Sequence, residues 1–402
     1  MTDGGDRTEG RRGGGSWLVP WFSSRAGGFF VPLGATLLAF LVGGVVVAAT
    51  GHNPLGTYKA IFEGTGLNYV FPWLDDRERR AAASDLQQTL IITTPLMLTA
   101  LAVAFAFRCG MFNIGGQGQY TVGLIGALYV GTHLEGTPRP LHVVLALFGA
   151  TVLGAIWGGI AGILKATVGA HEVISTIMLN FIAIFVGKYL FELGGPLQGA
   201  DPSIPRSFDV FDSAKLPEIW GRLQPLHAGI FIALGALVVY HLLLNRTTLG
   251  YEVRAVGFNP EAARYGGISV SRNYFLALAI SGAFAGLAGA VDLLGWKFRI
   301  ATNDLDTSAI GFIGIAVALL GRNKAVGILF ASLLFGALQV GTSARQLDPE
   351  VFPAELAGNL ATMIQALIIL FVGAELIIVY LWGLRRRAGF AGPARVQPEL
   401  KA

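Results

Sequence analysis

The side chains able to do chemistry are few in this sequence, and their spacing is not that of an enzyme. The six histidines (His52, His133, His142, His171, His227 and His241) are scattered. None falls in HExxH or another metal-ligand spacing. Cys109 is the single cysteine, so neither an internal disulfide nor a cysteine metal cluster can form. There is no GxSxG nucleophile elbow. There is no GxxxxGK[ST] loop, so ATP cannot be bound by that route. What remains is a set of carboxamides and one acid embedded in apolar sequence. Asn113, Gln117 and Gln119 alternate with Gly115, Gly116 and Gly118 in FNIGGQGQYTVGLIGALYVG (112–131). Asn180, Gln339, Gln365 and Glu375 are further examples. Carboxamides donate and accept hydrogen bonds without titrating, so they can line a wet path or tie helices together. Both uses fit residues 112–131: a broken helix facing the path, or a helix–helix contact.

The elements that hold these residues are read from composition first. Of 402 residues, 53% are hydrophobic and 13% charged, against about 25% charged in soluble domains. Mean hydropathy is +0.60. Glycine contributes 55 residues with no three-residue period, which suits close helix packing in lipid rather than collagen. The pI of about 9.2 does not point to nucleic acid, because the basic residues are spread over loops rather than gathered on one face.

The expected fold class is therefore all-α: a polytopic membrane helix bundle of about ten transmembrane helices. Runs near 20 apolar residues place spans at 29–50, 87–107, 113–132, 141–164, 172–192, 226–244, 273–295, 306–321, 324–343 and 357–382. Residues 1–28 read as a disordered cytoplasmic head, 29–384 as the membrane domain and 385–402 as a basic cytoplasmic tail. With both termini cytoplasmic, Lys and Arg divide 17 to 12 in favour of the inner side. Arg108, Lys165, Arg246, Arg322, Lys324 and Arg385 to Arg387 mark the inner span ends. Segments 51–86 and 193–225 are the long extracytoplasmic loops. The second carries five prolines and reads as an irregular cap. A second Gly-punctuated stretch, Ser308 to Leu329, answers the first in the other half, as an internal repeat would. Glu375 is a lone membrane carboxylate, and paired ones are scarce.

Segment 245–272 is too elaborate for a connector. It carries Arg246, Arg254, Arg264 and Arg272 against Glu252 and Glu261. A short helical pattern runs from Gly250 to Gly257. Asn259 caps a second, Pro260 takes its first position and Gly266-Gly267 ends it.

Four motifs in order resemble one family. FNIGGQGQ is similar to the FNIG-x-x-GQ signature of bacterial ABC importer permeases of the ribose, branched-chain amino acid and nucleoside group. HEVISTIMLNFIA (171–183) resembles the NEVIST segment of the nucleoside/simple-sugar branch, with His171 where Asn is common. GYEVRAVGFNPEAARYGGI (250–268) resembles that family's cytoplasmic coupling loop, and GFIGIAVALLGR (311–322) its late-span motif. The resemblance covers most of the chain from the second span onward and leaves the head outside. It implies a membrane subunit without its own ATPase site and without a bound cofactor, in a bacterial inner membrane. The implied partners are an ATP-binding cassette ATPase, a second permease that is usually a different chain, and an extracytoplasmic substrate-binding lipoprotein. The implied substrates are nucleosides or related simple sugars. It also implies that Arg254, Gly257, Asn259, Pro260, Glu261, Ala262, Ala263, Arg264 and Gly266 couple to the ATPase, Ala262 and Ala263 giving a low-relief surface. Asn113, Gly116, Gln117, Gln119, Asn180 and Gln339 then belong to the translocation path. The alternatives are an ion-gradient-driven secondary transporter and a permease for another small solute such as a branched-chain amino acid.

Overall fold

The computed structural model describes residues 18–221, 225–343 and 358–372, with side chains from Pro32 onward. The described residues are mostly helical. The helices are α1 (Leu18–Ala49), α2 (Pro54–Gly64), α3 (Asp76–Arg108), α4 (Gly116–His133), α5 (Arg139–Val168), α6 (Glu172–Phe191), α7 (Gly229–Arg246), α8 (Thr248–Phe258), α9 (Pro260–Tyr265), α10 (Val270–Asp292), α11 (Thr302–Thr307), α12 (Ile310–Leu320) and α13 (Ala325–Gly341). A further apolar helix, α14, covers Gly358–Val372. Among the described residues seven helical segments are long and apolar enough to cross a membrane. The ten expected spans map onto these seven, the less apolar α4 and the shorter α13 and α14. Glu375 and the tail lie outside the described residues.

α3 is the mast of the bundle. Asp75 and Glu78 close a capping box at its start, satisfying two orphan N–H groups. Its length from Leu96 to Ala106 is buried, with α10, α12 and α13 packed around it. α10 lies along α5 and α4 in the most extensive of the helix contacts. That seam is set by sequence. Gly154, Gly158 and Gly162 of α5 recur every fourth residue and meet Gly282, Gly286 and Phe275 of α10. A methyl at Gly154 would stand 2.3 Å from the Gly282 carbonyl oxygen. Lipid offers no hydrophobic drive for helices to associate, so backbone proximity and dispersion hold this seam. The outward faces of α5, α6 and α7 keep Phe148, Phe181, Phe185, Phe231 and Val238 exposed, the surface a bundle turns to acyl chains.

Several boundaries differ from the sequence expectation. α1 begins at Leu18, so residues 18–28 are helical rather than part of a disordered head. Segment 51–86 is not a plain loop. α2 packs on α13 through Thr57, Ile61 and Gly64, and α3 starts at Asp76. The expected span 306–321 is broken at Ser308-Ala309 between α11 and α12. The span from 273 extends through a π-helical turn, Leu293–Lys297.

Segment 193–225 folds over one end of the bundle. Near its end β1 (Glu218–Trp220) pairs antiparallel with β2 (Leu226–His227), which directly follows the segment. Backbone bonds latch it to the stretch after α10: Ser207 N–H to Ile300 O at 2.8 Å, Val210 N–H to Phe298 O at 2.9 Å and Leu216 N–H to Leu294 O at 2.8 Å.

Candidate translocation path and coupling site

α4 cannot continue α3. Gly110 takes φ +74°, a left-handed turn cheap only for glycine, and residues 111–114 are neither helix nor strand. The helix therefore starts at Gly116, three residues later than the sequence suggested. The freed polar groups are met by the carboxamides. Asn113 Nδ2 donates to Ser281 Oγ at 2.7 Å and to Gln119 Oε1 at 2.9 Å. Asn113 Oδ1 accepts from Gly115 N–H at 2.8 Å. Asn180 Oδ1 accepts from Gly118 N–H at 2.7 Å, and its Nδ2 donates to Ile114 O at 3.0 Å. Ser281 Oγ donates onward to Ala102 O of α3 at 2.6 Å. Three of the expected path residues, Asn113, Gln119 and Asn180, thus help tie α3, α4, α6 and α10 together, and all three are buried.

The two Gly-rich interruptions meet. Gln117 Oε1 accepts from Gly311 N–H at 2.9 Å. A methyl on Gly311 would stand 2.2 Å from Gln117 N, so only glycine allows this approach. Thr99 Oγ1 donates to Ile310 O at 3.3 Å. Thr99 lies nine residues before the end of α3, about 13 Å at 1.5 Å per residue. The N-termini of α4 and α12 therefore abut well inside the bundle, beside the middle of the buried stretch of α3. Their dipoles present positive ends at one depth. Gln117 Nε2 and Ser308 Oγ are buried there without a hydrogen-bond partner among the described residues. Gly116 sits against Gly311. Gln339, half-buried on α13, is not brought into this cluster by any described bond.

Toward the capped end lies a group the sequence reading overlooked. Asp292 of α10 pairs with Lys297 Nζ at 2.7 Å, accepts from Trp296 Nε1 at 2.7 Å and is hydrogen-bonded by Tyr120 of α4. Lys297 also reaches Tyr120 Oη at 3.0 Å. Membrane carboxylates are therefore not all unpaired, as Glu375 had suggested. The signal was Asp292 five residues before Lys297 at the end of an apolar run, where a π turn closes the distance. A cavity beside the pair is lined by Tyr120, Thr121, Lys297, Arg299, Asp304 and Ser308.

At the opposite end, α8 and α9 form a bracket. Thr247 caps α8 by accepting from Gly250 N–H at 3.1 Å. Asn259 caps α9 by accepting from Ala262 N–H at 3.1 Å, with Pro260 at the first position. α8 runs past the Gly250–Gly257 window, and Gly257 lies inside it. α9 ends at Gly266-Gly267 as its sequence suggested, with Gly266 as the C-cap and Gly267 at φ +79°. The expected coupling residues divide in two. Asn259, Glu261, Ala262, Arg264 and Gly266 are exposed, while Pro260 is half-buried. Ala263 is buried, so it anchors α9 instead of contributing to a low-relief outer surface. Arg254 turns inward, donating to Gly250 O at 3.2 Å and to Asn245 Oδ1 at 3.4 Å. Gly257 abuts the α3–α4 turn, where a methyl would stand 2.3 Å from Arg108 O. Two aromatics missed from sequence flank α9: Phe258 is 91% and Tyr265 93% exposed. Large rings are thus left bare at both ends of this one short helix.

A membrane bundle with two broken helices meeting at depth, and a rigid bracket standing off one end, defines a polytopic membrane transport subunit. Residues 86–373 match the family described as "Branched-chain amino acid transport system / permease component", and the chain belongs to it. The chain is 38% identical over 363 residues to the guanosine ABC transporter permease protein NupP of Bacillus subtilis, covering 89% of this chain and 97% of that one. It is 35% identical over 355 residues to the nucleoside ABC transporter permease protein NupB of Lactococcus lactis, covering 87% and 91%. It is 34% identical over 352 residues to a glucose ABC transporter permease protein of Haloferax volcanii, covering 85% and 86%. It is an ABC transporter permease component and a multi-pass membrane protein.

Proposed function

We propose that this chain imports nucleosides or related simple sugars through a bacterial inner membrane, driven by a separate ATP-binding cassette ATPase docked on α9. The observation that carries the reading is the continuity from α9 to α4. The bare face of α9 is braced by α8. α8 touches the α3–α4 turn at Gly257, and that turn sets the start of the broken helix. A displacement of α9 is thereby delivered to the junction of α4 with α12.

In this reading the chain has no ATP site or cofactor of its own. It pairs with a second permease, a different chain, and receives substrate from an extracytoplasmic binding lipoprotein. The face carrying α8 and α9 is cytoplasmic, which puts both termini inside and the 193–225 cap outside. Gln117 Nε2 and Ser308 Oγ supply polar contacts to a passing ribose or base when α4 and α12 part. The substrate class follows from the guanosine and nucleoside relatives, the sugar option from the glucose one.

The test is uptake of labelled guanosine into proteoliposomes holding the whole transporter and its binding protein. ATP enclosed with the ATPase side should drive uptake, and a protonophore should leave it intact. Uptake that needs an ion gradient and ignores both ATP and Glu261→Lys would establish the secondary-transporter alternative.

A further inference from the structure

A basic cleft opens at the foot of α7, α8 and α13, with a volume of about 360 Å³. Arg108, Arg254 and Lys324 line it together with Tyr240 and Asn245, and none of its described lining residues is acidic. The first residues of α13, Ala325 and Val326, line it too. No side chain caps that helix, so its positive end faces the cleft. Beside it runs an apolar groove of about 470 Å³ between α1 and the α12–α13 corner. Leu33, Phe330 and Leu334 line the groove, and Arg322 and Lys324 close one end. Lys324 and Val326 belong to both spaces. The corner that joins them is held in an unusual shape. Arg322 and Asn323 both take φ 53°, left-handed backbone that costs non-glycine residues free energy. Asn323 O is gripped by Arg108 Nη2 and Tyr240 Oη, each at 2.8 Å.

We propose that cleft and groove together form a binding site for one anionic phospholipid of the leaflet on the α8–α9 side. The phosphate lies among Lys324, Arg108 and the α13 N-terminus, and an acyl chain lies along Phe330 and Leu33. A free anion would use only the cleft, and a neutral apolar ligand only the groove. A charged head joined to an acyl chain fits both, and basic pockets between transmembrane helices take such heads. Arg254 of the coupling bracket faces this head group, so the lipid sits where it can brace α8. That the leaflet is the cytoplasmic one rests on the proposed function; the binding itself does not.

The test uses the assembled transporter in nanodiscs of four parts phosphatidylcholine to one part phosphatidylglycerol. Native mass spectrometry counts phospholipid retained after mild detergent release. One phosphatidylglycerol per copy of this chain should remain, strongly enriched over phosphatidylcholine. Lys324→Gln and, independently, Val326→Trp should each lower retention at least fivefold. Lys59→Gln, in an exposed pair with Glu63, should not. Thermal midpoints identify any variant that fails to fold, and the other variant then decides. Retention unchanged in the folded variants, no preference for the anionic head, or no retained lipid at all would overturn the site. Displacement by millimolar inorganic phosphate with Val326→Trp inert would reassign it to a soluble anion. ATP-driven uptake is scored separately on the same preparations, so lipid retained without such uptake would count against the transport reading alone.

Discussion

Single residues carry two kinds of prediction here. Cys109 sits at the joint beneath Gly257, buried, its sulfur 3.8 Å from Asn273 O. Burial pushes its thiol up to about 12, so it stays protonated throughout the neutral range. Only the thiolate reacts readily. Maleimide labelling at pH 7 to 8 should therefore be orders of magnitude slower than for a free thiol and rise with pH. It should accelerate when the ATPase cycles, because the joint then moves; equal rates with and without ATP would place the motion elsewhere. His171 stands at the N-cap of α6 without a side-chain cap. His171→Asn should add a hydrogen bond and stabilise the chain by about 1 kcal/mol, read as a raised thermal midpoint. Lys297 is the partner of Asp292, which is almost wholly buried. Lys297→Met should destabilise by about 3–5 kcal/mol, because the stranded carboxylate has no water to turn to; a neutral substitution would mean that the pair is wet.

Elements explain what could be read from sequence and what could not. The caps of α8 and α9 were legible because Thr247, Asn259 and Pro260 act through neighbours one to three residues away. The break before α4 was legible for the same reason, since Gly110 and the polar run 113–119 are local signals. The partners of that break were not. Ser281 and Gly311 reach it from distant parts of the chain, and nothing local in Ser281 advertises its bond to Asn113. The role of Ala263 was misjudged because one residue of rotation decides whether an alanine faces out or in. Phe258 and Tyr265 were passed over because an aromatic in a hydrophobic sequence reads as core until its exposure is known. Truncating both to alanine should weaken ATPase-subunit binding by about 100-fold, about 2.7 kcal/mol, which lies within the range of interface hot spots. Folding should not change, since neither ring packs inside. Pull-down with the purified ATPase subunit and a thermal melt separate these outcomes.

At the scale of the whole molecule, the proposed stroke from α9 would make the bundle a lever hinged where α4 meets α12. Seams such as α5 on α10 have no slack, because Gly154 and Gly282 leave no room for a side chain. Such packing transmits displacement rather than absorbing it. The α4–α12 junction differs. Two helices begin there, and Gln117 Nε2 and Ser308 Oγ have no hydrogen-bond partner among the described residues. Motion imposed at α9 therefore concentrates where the backbone is already interrupted. The membrane class was legible in composition alone. The convergence of two half-helices was not, because it depends on how α3 and α12 pack, and Ser308 to Leu329 carries no mark of depth.

The proposed path from α9 to α4 crosses the contact between Gly257 and the Arg108 carbonyl. The deciding measurement is guanosine taken up per ATP hydrolysed, in proteoliposomes of the complete transporter carrying Gly257→Val. Gly235→Val serves as control, since a methyl at Gly235 meets nothing within 4 Å. Hydrolysis and ATPase-subunit binding should persist in the Gly257 variant while uptake per ATP falls at least tenfold, and the Gly235 variant should match the unsubstituted chain. An unchanged ratio in a folded Gly257→Val transporter would show that the stroke does not pass through this joint.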